Sequence, residues 1–115
     1  MPTILALALS LAAGGTCLHG ADETAEQAKR RRDAAQAVRY INTAESMGLE
    51  KAKRYVPLGQ LTAIPAPAGF KLSLVNDNKS YLLAAKDTRD PCGFALFSDD
   101  TGLIYEAQPL RARAR

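Results

Sequence analysis

Two hydrophobic periods divide the chain. Between Ala21 and Tyr55, Ala34, Val38, Ile41, Glu45 and Leu49 step by three or four residues, and Ala37, Tyr40, Ala44 and Ala52 widen the stripe. That spacing predicts an amphipathic helix over about 22–54, with Glu45 close to the edge of its apolar face. The stretch has no Pro and one Gly, and it is rich in Ala, Glu, Gln, Lys and Arg, which lose little side-chain entropy in a helix. Asp22 or Thr24 is placed to cap it. Asp22, Glu23 and Glu26 at its front and Lys51, Lys53 and Arg54 at its back suit the helix dipole.

After Tyr55 the period changes to two. Pro57 disfavours a helical residue before it, so the helix is expected to end by Val56. Gln60 to Ala63 allows a short helical turn, and the Pro-rich link 64–69 cannot form a central strand. Phe70, Leu72 and Leu74 then alternate with Lys71 and Ser73. The cluster Asn76-Asp77-Asn78-Lys79 marks a turn, and Tyr81 to Lys86 reads as the second arm of a hairpin. Gly93 to Ser98 and Leu103 to Ala107, joined by Asp99-Asp100-Thr101-Gly102, complete four short strands. The expected fold is α+β: one long N-terminal helix packed on a three- to four-stranded antiparallel meander over about 69–107. No internal repeat is visible.

The beginning of the chain has a different character. Ile4 to Ala13 is an apolar run, too short for a bilayer-spanning helix, and small residues and then charge follow it. This order predicts a secretory signal peptide over 1–20, cleaved near Gly20 or Ala21, and a periplasmic or secreted product. An uncleaved anchor, or a lipoprotein modified at Cys17, are alternatives. Cleavage near Gly20 would remove Cys17 and His19. The rest would keep Cys92 alone, buried as a small hydrophobe or open to an intermolecular bond. The domain is expected over 21–110, with a solvated basic tail at 111–115.

Composition narrows the function. With 115 residues the chain is one domain at most, and 47% hydrophobic with 23% charged residues argues against wholesale disorder. A net charge of +3, no Trp and no interleaving of basic and aromatic residues give no reason to expect nucleic acid. Phosphate-loop, zinc-spaced and dinucleotide motifs are missing from the sequence, and Cys92 has no His to serve it once His19 is gone, so no enzyme is expected. Lys29, Arg30, Arg31 and Arg32 form a basic run on the first helical turns. They read either as a solvated face or as a contact for an acidic partner or anionic membrane. No cofactor is expected. Asp99 and Asp100 read as turn residues, and calcium is possible only if the loop carrying Asp87 and Asp90 meets theirs. Tyr40, Tyr55, Tyr81 and Tyr105 are expected to pack between helix and sheet.

The segment RYINTAES, followed by GFKLSL, SYLLAAKD and GFALFSDDTGLIYEA, resembles the globular part of bacterial type IV pilins and type II secretion pseudopilins. The last hairpin, Phe97 to Tyr105, carries the pattern aromatic, acidic turn, Gly, Ile, aromatic. The resemblance covers about residues 34 to 110 and implies a helix carrying a meander. It also implies an exported, non-enzymatic structural or interaction protein of the cell envelope, with an envelope or pilin-like partner. The basic leader and long apolar helix of a prepilin are not visible here, so a free pilin-like domain is expected ahead of a pilus or pseudopilus subunit. A small periplasmic calcium- or ligand-binding domain is the alternative from another class.

Overall fold

The structure, a computed structural model, describes residues 17–61 and 64–109. The apolar run Ile4–Ala13 and the tail 111–115 lie outside the described residues. Among the described residues, one long helix, α1 (Ala25–Ala52), is followed by a short 3-10 turn (Leu58–Gln60) and four strands: β1 (Phe70–Asn76), β2 (Tyr81–Asp87), β3 (Ala95–Asp99) and β4 (Ile104–Ala107). The strands form one antiparallel sheet in the order β1-β2-β3-β4, the expected α+β meander.

Helix α1 begins with a capping box. Thr24 Oγ1 accepts from the Gln27 amide, and the Gln27 side chain returns to accept from the Thr24 amide. It ends before Pro57 is reached. Lys53 adopts a left-handed conformation (φ 64°) and its amide closes on the Leu49 carbonyl. The chain then folds back, bringing Val56 over Gly48: a Cβ at Gly48 would stand 2.7 Å from Val56 Cγ2.

The buried face of α1 is Ala34, Ala37, Val38, Ile41 and Glu45. It packs on the inner face of the sheet, where the cross-strand register aligns Leu83 with Leu74 and Ser98, and Ala85 with Leu72 and Leu96. Leu49, Tyr40 and Ala52, expected in the stripe, are exposed. Length explains Leu49 and Ala52. At 28 residues α1 is about 42 Å long, whereas a seven-residue strand spans about 23 Å, so the last turns run past the sheet. Tyr55 and Tyr81 do pack, edge to face at 4.9 Å between centroids, but Tyr105 stands on the outer face with Tyr40 also in solvent.

A polar relay pins the helix centre to the sheet. Tyr81 donates its hydroxyl to Asn42 Oδ1 at 2.6 Å, the Asn42 amide donates to Ser98 Oγ at 2.9 Å, and Ser98 donates to the Leu103 carbonyl at 2.7 Å. Every group in this chain is satisfied, which is what makes a polar core contact specific.

Candidate functional site

The densest chemistry lies where the residues preceding α1 meet the β2–β3 loop. Cys17 and Cys92 form a disulfide across 75 residues. The lone-thiol expectation for Cys92 is therefore corrected: both cysteines of the chain are paired with each other. A lipid on Cys17 would require that sulfur free. Leu18 is tied in as well, its amide donating to Asp90 Oδ1 at 3.1 Å. Asp90 also accepts from the amides of Cys92 and Phe94, so one carboxylate shapes the loop and holds the incoming segment.

His19 is buried, its ring packed against that of Phe94 at 4.4 Å between centroids and tilted by 43°. Its Nδ1 lies 2.6 Å from Glu23 Oε2 and its Nε2 lies 2.8 Å from Asp87 Oδ2. Both ring nitrogens lie within hydrogen-bond distance of carboxylate oxygens, so both are engaged. A fold boundary at Gly20 would cut through this unit, removing Cys17, Leu18 and His19 from contacts that reach into the sheet.

The basic run divides by role. Arg30 makes a bidentate pair with Asp87 at 3.0 and 3.1 Å, donates to the Ala68 carbonyl and lies 5.2 Å above the Phe70 ring. Arg31 makes a second bidentate pair, with Glu23, at 2.8 and 2.9 Å. Lys29 pairs with Asp33 one helical turn on, both exposed, and Arg32 is exposed. The four residues thus do not form one solvated face. Helical spacing turns Arg30 and Arg31 toward acidic groups at the sheet end, while Lys29 and Arg32 stay outside.

Electrostatics follow from these pairs. The Arg31 guanidinium, with help from His19, outweighs burial and brings the Glu23 carboxyl down to about 2. Burial alone would push Asp87 up, but Arg30, His19 and the Arg89 amide together hold it below the usual carboxylate range. Glu45 is the opposite case. Burial pushes it up, partly offset by the Val56 amide donating to Oε1, and Oε2 has no partner among the described residues. Burial, then the Glu45 charge, also raises Tyr81 to about 12. The expected place of Glu45 at the stripe's edge is corrected: it is fully buried.

The acidic loops stay apart. Register sets Asp99 level with Leu82, five residues along β2 from Asp87, or about 16 Å. Asp87 is committed to cations and Asp90 to amides, while Asp99 accepts from Thr101. The four aspartates do not assemble one cation cage, and no group of three or more His, Cys, Asp or Glu among the described residues is arranged to hold a metal.

A cavity of about 450 Å³ opens beside the disulfide, between the 17–22 segment and Gln108 and Pro109. Its walls carry a bridged cysteine pair and a histidine whose nitrogens are both engaged, so none of these three side chains offers it a free nucleophile or base. Chemically the cluster works as a clasp. Comparison with known proteins gives no match: no family model fits the chain, and no curated protein or solved structure is significantly similar to it.

Proposed function

We propose that the chain is an exported, non-enzymatic, pilin-like interaction domain of the cell envelope. The observation that carries the reading is the Cys17–Cys92 disulfide, because such bonds persist in oxidising compartments and are rare in the cytosol. The helix followed by a sequential antiparallel meander accords with the resemblance of RYINTAES and the Phe97–Tyr105 hairpin to pilin globular domains. The engaged state of His19 and both cysteines favours binding over catalysis. Lys29 and Arg32, the exposed members of the basic run, are the positions offered to an acidic envelope partner or an anionic lipid surface.

This reading revises where processing falls. Signal cleavage has to occur before Cys17, among the small residues after Ala13, for the clasp to survive. Intact-mass measurement of the exported chain, with and without reduction and alkylation, tests it. An N-terminus at or before Cys17 and one intramolecular disulfide are expected. A chain beginning at Ala21, or one retained in the cytoplasm with two free thiols, sinks it.

A further inference from the structure

The outer face of the sheet, away from α1, is where the pairing registers leave an unusual pattern. Val75 on β1, Leu82 on β2, Phe97 on β3 and Tyr105 on β4 share it. They are 66%, 52%, 36% and 53% exposed, so an apolar band crosses all four strands uncovered by any described residue. Isolated surface apolar residues are ordinary, but a contiguous band on one face marks an interaction surface.

Charge on the same face is segregated. At one end Lys71 stands directly opposite Lys86 across the β1–β2 pair. Like charges directly opposite one another weaken a sheet, and neither lysine makes an ion pair among the described residues. At the other end of the same face stand Asp77, beyond Val75, and Asp99, level with Leu82. Each is held as an anion by nearby donors: the Lys79 and Ser80 amides for Asp77, the Thr101 hydroxyl and amide for Asp99. The pattern is therefore basic end, apolar middle, acidic end.

We propose that this face docks a second copy of the same chain, sheet on sheet, with the strands of the two copies running in opposite directions. A two-fold axis lying across the strands places the Lys71–Lys86 end of one copy over the Asp77–Asp99 end of the other, twice over. The apolar bands then meet at the centre, as in a sandwich of two sheets about 10 Å apart. The Lys–Lys juxtaposition, unfavourable within one chain, gains acidic counterparts in the pair. The inference rests on register and exposure and is independent of the compartment in which the chain resides.

Sedimentation velocity on the purified chain, from about 1 to about 500 µM, tests the proposal over the range where a dimer of Kd ~10–100 µM is seen. Reversible dimerisation that weakens with added salt is expected. Phe97→Asp should abolish it with the far-UV spectrum unchanged. Lys86→Glu gives a reading that a purely structural role would not: it relieves the Lys71 contact, so the melting temperature of the dilute monomer rises. The dimer Kd meanwhile rises about tenfold or more, since like charges then face each other across the interface. A chain monomeric throughout the range, including one that binds anionic vesicles instead, overturns the proposal. So does a dimer indifferent to both substitutions.

Discussion

His19 Nε2 lies 2.8 Å from Asp87 Oδ2, joining residues 68 positions apart at a site that solvent does not reach. Asp87 is the hub: it accepts from His19, from both terminal nitrogens of Arg30 and from the Arg89 amide. Removing the hub leaves the largely buried Arg30 guanidinium without its counter-ion. Asp87→Ala is expected to cost about 3–5 kcal/mol, and His19→Ala less, on the order of 1–3 kcal/mol, because Arg30 still neutralises Asp87. Urea denaturation of both variants gives the order. Equal losses would show that Asp87 is no hub.

Acid should unlock the clasp. Glu23 has its folded value lowered to about 2, against 4.5 unperturbed, and Asp87 is lowered as well. A carboxylate lowered in the folded state stabilises fully above its unfolded value and loses that contribution as pH falls through the folded one. Stability should thus decline from about pH 4.5 toward pH 2, and Glu23→Gln should flatten that limb while melting lower at pH 7. Thermal melts between pH 2 and pH 7 measure both effects.

Glu45 should titrate in the opposite sense. Its folded value is raised by burial. Below the unfolded value of 4.5 the folded state keeps its full stability. As pH rises above it, ionisation favours the unfolded chain until the folded value is passed. Glu45→Gln keeps an acceptor for the Val56 amide and removes this slope, so the variant should melt a few degrees above the parent at pH 8. A parent at least as stable there would mean that an unseen partner holds the charge.

Reduction of Cys17–Cys92 should be costly, because the bond closes a 75-residue separation. Chain entropy gives about 4 kcal/mol for a loop of this length. Melts with and without a phosphine reductant measure it, and hydrogen exchange should show the Leu18 and Cys92 amides losing protection first. An unchanged melting temperature would mean that the bond contributes nothing to stability.

Gly48 offers a local test of packing. Alanine in a helix ordinarily gains about 1 kcal/mol over glycine. Here the new Cβ would meet Val56 Cγ2 at 2.7 Å and the Arg54 carbonyl at 3.3 Å. Gly48→Ala should therefore destabilise, and Val56→Ala in the same chain should recover part of the loss. Additive effects in the double variant would rule out the contact.

Elements with their own period were legible in the sequence, and contacts between distant residues were not. Thr24, Val38, Ile41 and the alternation from Phe70 to Leu74 announce helix cap, helix face and strand, because each pattern is local. The ends were less clear: Pro57 looks like the helix terminator, yet Lys53 in a left-handed conformation ends it earlier. Charged side chains misled most. Lys29 to Arg32 look alike in sequence, but which of them turns inward depends on Asp87, 57 residues from Arg30. His19 gave one local hint, its four-residue spacing from Glu23. Cysteine count gave another, since an even number invites pairing. The apolar run before them drew attention to a boundary at Gly20, while the partners of Cys17 and His19 in the β2–β3 region lie 75 and 68 residues away and leave no local pattern.

The disulfide also sets an order in time. Each strand of the sheet pairs only with its neighbour in sequence, so the hairpins need little chain to close. Cys17 has no such neighbour: it leaves a ribosome or a translocation channel well before Cys92. Throughout that interval it is an open thiol at the head of a growing chain, and any oxidant or stray cysteine meets it before its true partner does. The clasp cannot close until the β2–β3 loop has emerged.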